Sequence, residues 1–190
     1  MIDIFDKIEY FNDTKETFRE MSYDGTDNVS MIDCNQIGYN FDKVKTHYAN
    51  SLSLSEEVAQ SVDTLYFSQK INKYVFVEFK NGLMKNARAD VKNKLKDSLL
   101  IFCDILRVNI SFTRRNALFI LVYNEEKNVK RNKMETSDEY SKDEMKKHIF
   151  SLAKEHEILF GFEKYRRLYF CDVYTCSKSE FNNVLNDILD

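Results

Sequence analysis

The sequence predicts an α/β domain with a mixed central sheet flanked by helices, and three observations carry that expectation. Two β-branched and aromatic runs flank a polar tetrad, which reads as an antiparallel hairpin. A helical stripe then precedes a continuously apolar run, the pattern of a crossover joining two parallel strands. A further strand and an amphipathic helix close the chain. The 190 residues suffice for one domain, taken as 1–190, with a polar loop at about 125–141.

In chain order, Ile4, Ile8, Phe11, Phe18 and Met21 recur at helical spacing, predicting an amphipathic helix over 4–21 that ends before Gly25. The stretch from Val29 to Asn50 has no decisive period. Ser53 and Glu56 form an S-x-x-E pattern that would cap a short helix to about Ser61. Thr64 to Ser68 and Lys73 to Lys80 are the two hairpin strands, separated by Gln69, Lys70, Ile71 and Asn72. After Asn81 and Gly82, a helix carries Val91, Leu95, Leu99, Phe102 and Leu106 on one face, with Lys92, Lys94 and Lys96 starting the polar side. Ala117 to Tyr123 is apolar throughout, as a strand covered on both faces would be. Residues 125–147 hold seven acids and seven bases; Ser141 and Glu144 then cap a helix to about Glu157. Leu168 to Thr175 reads as the last strand. Ser177 with Glu180 caps a final helix whose inner side is Phe181, Val184, Leu185 and Ile188.

Composition narrows the function. Hydrophobic residues at 43% and charged residues at 31% argue against disorder. No run reaches the roughly 18 apolar residues of a membrane span, so no membrane association is expected. Asp3, Asp6 and Glu9 interrupt the opening residues, unlike a secretory leader, and the expected compartment is the cytoplasm. Cys34, Cys103, Cys171 and Cys176 form no C-x-x-C pair, and His47, His148 and His156 are scattered, so free thiols are expected rather than a zinc cage. Four glycines and no proline leave no nucleotide-binding or hydrolase glycine motif.

Five [DE]-x-K triplets occur, at Asp13, Glu78, Asp90, Glu125 and Glu144, and only the one at Glu78 ends an apolar strand, where charge is costly. Side chains alternate along a strand, so Glu78 and Lys80 project from one face. A turn centred on residues 70 and 71 pairs position i with 141 minus i, setting Asp63 across from Glu78. Directly opposed Cβ atoms lie about 5 Å apart, and like charges there destabilise unless a cation joins them. A divalent ion with oxygen ligands and an adjacent lysine suits hydrolysis of a phosphodiester.

Val62-Asp63, a fourteen-residue gap and Glu78-Phe79-Lys80, followed by a helix and a buried strand, resemble the PD-(D/E)XK nuclease superfamily. The resemblance spans roughly residues 55–123. It implies a restriction-endonuclease-like fold and a Mg²⁺ (or Mn²⁺) dependent nuclease cutting DNA or RNA. By that resemblance Asp63 and Glu78 hold the metal and Lys80 is the catalytic lysine, with Asp63, Glu78 and Lys80 together as the catalytic set. Val62 stands where many members have proline. A further acid often comes from the preceding helix, for which Glu56, Glu57, Glu16 and Glu20 are all open. The segment Val77 to Gly82, V-E-F-K-N-G, is similar to one in small bacterial and phage defence-related proteins.

Charge is dealt unevenly along the chain: residues 1–63 hold thirteen acids against five Lys/Arg, and residues 64–190 eighteen against twenty-three. Lys85, Arg88, Lys92, Arg114 and Arg115 are the candidate nucleic-acid contacts, with Lys94, Lys96, Lys127, Lys130, Arg131 and Lys133 nearby in sequence. A solvated face explains the same charges. Two alternatives stay open: a plain α/β domain with a salt bridge at Glu78 and Lys80, and a cleavage-dead nuclease fold that binds protein or nucleic acid as an inhibitor, immunity or anti-defence factor. A homodimer is compatible with each.

Overall fold

The structure, a computed structural model, describes residues 4–128 and 158–188. Its centre is a six-stranded sheet. In chain order the strands are β1 (Lys15–Thr17), β4 (Ile37–Asn40), β5 (Thr64–Ser68), β6 (Lys73–Lys80), β7 (Ala117–Tyr123) and β8 (Asp172–Ser177), and they lie side by side in that same order. A two-stranded ribbon of β2 (Tyr23–Asp24) and β3 (Val29–Ser30) stands apart. The helices are α1 (Phe18–Met21), α2 (Phe41–Ser51), α3 (Met84–Ile105), α4 (Ile110–Asn116) and α5 (Phe181–Ile188).

The hairpin forms as its pattern requires. Partners run from Thr64 with Val77 to Ser68 with Lys73, each pair summing to 141 as expected. β1, β4, β5 and β6 are antiparallel neighbours; β7 and β8 add in parallel after α3 crosses over. The mixed sheet is therefore borne out. Alternation along β6 then sorts its residues into two cores. Tyr74 and Phe76 pack with Val91, Leu95, Leu99 and Phe102 of α3, whereas Val75, Val77 and Phe79 pack with Phe18 and the α5 residues Phe181, Val184, Leu185 and Ile188. The α5 start is the capping box read from the sequence: the Ser177 hydroxyl accepts from the Glu180 N–H, and Glu180 Oε2 accepts from the Ser177 N–H at 3.0 Å.

The expected helix over 4–21 does not form. Its place is taken by 3₁₀ turns at Ile4–Lys7 and Glu9–Phe11, then β1 and α1. Asp13 adopts a left-handed φ of 57°, and Phe5 and Phe11 belong to the α3-side core while Phe18 belongs to the opposite one. One helical stripe cannot serve both faces of a sheet. The short helix to Ser61 is only a 3₁₀ turn, Glu56–Val58, and its cap is Ser55 instead of Ser53. The last strand starts at Asp172 rather than Leu168, because Arg167 has a φ of 64° and the Tyr169 and Phe170 N–H groups turn back to the Tyr165 carbonyl. α2, capped by Asn40, and α4, capped by Asn109, complete the fold. The expected helix from Ser141 to Glu157 and most of the 125–141 loop lie outside the described residues.

Gly38 marks the tightest approach in β4. A Cβ there would lie 2.7 Å from the Phe18 ring and 2.9 Å from Thr64 Cγ2. Phe18 is buried and has no room to retreat. Gly38→Ala is expected to lose about 1–3 kcal/mol by overpacking, read as a lower urea midpoint; an unchanged midpoint would show that the contact relaxes.

Candidate active site

β6 outlasts β5 at its C-terminal end, leaving Glu78, Phe79 and Lys80 beyond the last hairpin pair. Asp63, the residue preceding β5, covers this stretch. Its Oδ2 accepts the Phe79 N–H at 2.6 Å, while its carbonyl accepts the Phe41 N–H at 3.0 Å. Three contacts tie the approach segment to α3: the Gln60 N–H to Asp97 at 3.0 Å, Gln60 Nε2 to Asp90 at 3.0 Å, and the Val62 N–H to Ser98 Oγ at 2.8 Å. Asp63 is held by both a strand and a helix.

The same-face expectation for β6 holds, since Glu78 and Lys80 both make their ion pairs with α3. They do not share a partner. Lys94 Nζ of α3 lies 2.9 Å from Glu78 Oε1 and 3.4 Å from Asp63 Oδ1. Lys80 instead meets Asp90 Oδ2 at 3.6 Å. Lys94 is thus the amine between the carboxylates, and its place on the polar side of α3 is corrected. It falls three residues after Val91 and four before Ser98, both buried, so it lies on the inward stripe. A lysine and a serine on an apolar stripe were the signal available in the sequence.

Glu78 is 0% exposed, and its Oε2 has no hydrogen-bond partner among the described residues. Burial, and then the Asp63 carboxylate, push its pKa well above the ordinary range. Burial also raises Asp63, against the opposing pull of Lys94 and the Phe79 N–H. For Lys94 burial acts downward, but Glu78 and Asp63 outweigh it and hold the ammonium charged. Strong perturbation of this kind gathers at functional sites.

The raised Glu78 value has a pH signature. Above its ordinary pKa of 4.5, the folded chain keeps a proton that the unfolded chain has released. Stability therefore falls as pH rises through that window. Glu78→Gln has no such proton, so the stability of wild type relative to this variant should decline from about pH 4.5 upward. Melts across pH would test it; a constant difference would mean that Glu78 ionises as readily folded as unfolded.

The other predicted residues are dispersed. Arg88 donates from Nε and Nη2 to the Phe160 carbonyl at 3.0 and 2.9 Å, and Lys92 lies over the Phe162 ring. Lys85 is exposed on the first turn of α3. Arg114 donates to the Leu168 carbonyl at 2.8 Å. Arg114 and Arg115 precede Ala117, which pairs with Tyr74, whereas Glu78 pairs with Leu121. Four residues of strand, about 13 Å, separate the two levels. These arginines do not adjoin the carboxylates. Lys130, Arg131 and Lys133 lie outside the described residues. Of the acids left open, Glu16 binds Asn40 and Lys43, Glu20 caps α1, and Glu56 and Glu57 lie on an exposed turn.

A cleft of about 440 Å³ opens on Asp63 and Lys80 from beneath the β2–β3 ribbon. Asn81 pins that ribbon, donating to Asp24 at 2.8 Å and Asp27 at 2.6 Å, and is itself held by Asn124. All four cysteines are free thiols. No helix of the described residues is long and apolar enough to cross a membrane.

Compared with known proteins, the chain matches no family model, no curated sequence and no solved structure. Among the described residues, no group of three or more His, Cys, Asp or Glu side chains converges. The available donors are the Asp63 and Glu78 carboxylates. They suit Mg²⁺, which retains several waters and binds through one or two carboxylates, and the unpartnered Glu78 Oε2 is a hard oxygen for it.

Proposed function

We propose that this protein is a divalent-metal-dependent nuclease of the restriction-endonuclease-like kind, acting on DNA or RNA in the cytoplasm. The observation that carries this reading is the buried, unpartnered Glu78 Oε2 beside Asp63 and a lysine ammonium. The order hairpin, helix, parallel strand around it agrees with the PD-(D/E)XK resemblance.

Asp63 and Glu78 would hold Mg²⁺ or Mn²⁺, which supplies Lewis-acid stabilisation of a phosphoryl oxygen and activates water. Lys94 offers a proton-donating group for charge developing on the phosphate. Lys80, steadied by Asp90, reaches the mouth of the cleft and serves a neighbouring phosphate. The lysine role that the resemblance gives Lys80 passes in this reading to Lys94.

Purified protein should cut single- or double-stranded DNA or RNA in the presence of Mg²⁺ or Mn²⁺, and Asp63→Asn and Glu78→Gln should abolish the cutting. Wild type that cuts none of these substrates with either ion would end the reading. The cleavage-dead alternative rests on a specific observation too: Lys94 already neutralises the pair, and Glu78 is sealed from solvent. It predicts instead a stable complex with a protein that survives Asp63→Asn and Glu78→Gln.

A further inference from the structure

We propose that Lys94 is a displaceable internal cation, which occupies the Asp63–Glu78 pair in the metal-free protein and yields it to a divalent ion. The inference rests on the nuclease reading and specifies how its metal site is regulated.

Three of the four carboxylate oxygens already face protein donors. Asp63 Oδ2 takes the Phe79 N–H, and Asp63 Oδ1 and Glu78 Oε1 both face Lys94 Nζ. Of these four oxygens, Glu78 Oε2 alone has no hydrogen-bond partner among the described residues. Two acids so enclosed require positive charge, and in this chain the ammonium supplies it. A dication bound to the same pair would sit within a few ångströms of that ammonium, and like charges at such range repel strongly where solvent is scarce. Ammonium and dication therefore compete for the pair.

The helix provides a place for the amine to go. Asp90 lies four residues before Lys94, the spacing that brings side chains together on a helix. Its carboxylate now holds Lys80 only at 3.6 Å, together with Gln60. Lys94 keeps 22% of its side-chain surface exposed, so a route outward exists. One rotation of the lysine stem would move its charge from the carboxylate pair towards Asp90.

The test measures Mn²⁺ binding by calorimetry and by melting, without substrate, on wild type, Lys94→Met and the double variant Lys94→Met/Glu78→Gln. Lys94→Met should bind Mn²⁺ about tenfold or more tightly than wild type, and its melting temperature should rise more steeply with Mn²⁺. The double variant, which lacks the buried Glu78 carboxyl, should fold without metal and lose the Mn²⁺ response. In wild type, Mg²⁺ should shift the ¹⁵N signal of the Lys94 ammonium, a measurement that needs no variant. Equal Mn²⁺ affinity in wild type and Lys94→Met, or an unmoved Lys94 signal at saturating Mg²⁺, would overturn the competition while leaving the metal site intact. Absence of Mn²⁺ binding in every protein would overturn both this inference and the nuclease reading.

Discussion

Lys94→Met is expected to cost about 3–5 kcal/mol of folding stability in metal-free buffer, the range found when one partner of a buried ion pair is removed. For a chain of this size that corresponds to a fall in melting temperature on the order of 10 °C. Methionine keeps most of the stem's volume, so the loss would report charge and not packing. The cause is specific: Asp63 and the fully buried Glu78 would face one another with no cation between them. Adding Glu78→Gln to the same chain should recover a large part of the loss, because the buried carboxyl that must otherwise be held protonated beside Asp63 disappears. A loss below about 1 kcal/mol for the single variant would place Lys94 among ordinary surface salt bridges.

The second large effect concerns cleavage. Glu78→Gln preserves shape and burial but removes the negative charge that would hold a hard cation, and phosphodiester cutting should fall by at least about 10²–10³-fold. Circular dichroism and a retained cooperative melt would establish that the fold survives. The two lysines then separate the sequence reading from the geometric one. Lys94→Met, assayed below its melting temperature, should be cut in activity as deeply as Glu78→Gln, whereas Lys80→Met should lose much less, since Lys80 is paired with Asp90. The reverse order would return the catalytic lysine to Lys80.

Much of the central fold was legible because it rests on local patterns. The four-residue turn between Ser68 and Lys73 specifies which residues face each other, so the relation between Asp63 and Glu78 could be computed from the chain alone. β7 was readable from seven consecutive apolar residues, and α5 from Ser177 and Glu180. The N-terminal region was misread for a physical reason: Phe11 and Phe18 are seven apart, a helical interval, yet they fill cores on opposite sides of the sheet. Periodicity records that residues are apolar, not which surface they cover. The surroundings of the basic residues were equally illegible, since Arg88 and Arg114 meet backbone carbonyls distant in sequence, at Phe160 and Leu168.

The sequence alone determined the register of the β5–β6 hairpin, the alternation that sends Glu78 and Lys80 to one face, and the proximity of Asp63 to Glu78, because each follows from strand geometry over a short stretch of chain. Only the tertiary structure decided which amine would meet those acids. Glu78 and Lys94 are sixteen residues apart, on elements whose contact depends on how α3 lies across β6. A helix rotated by one residue would turn Lys94 by about 100°, out of the site, and neither strand alternation nor helical period can register one element against another.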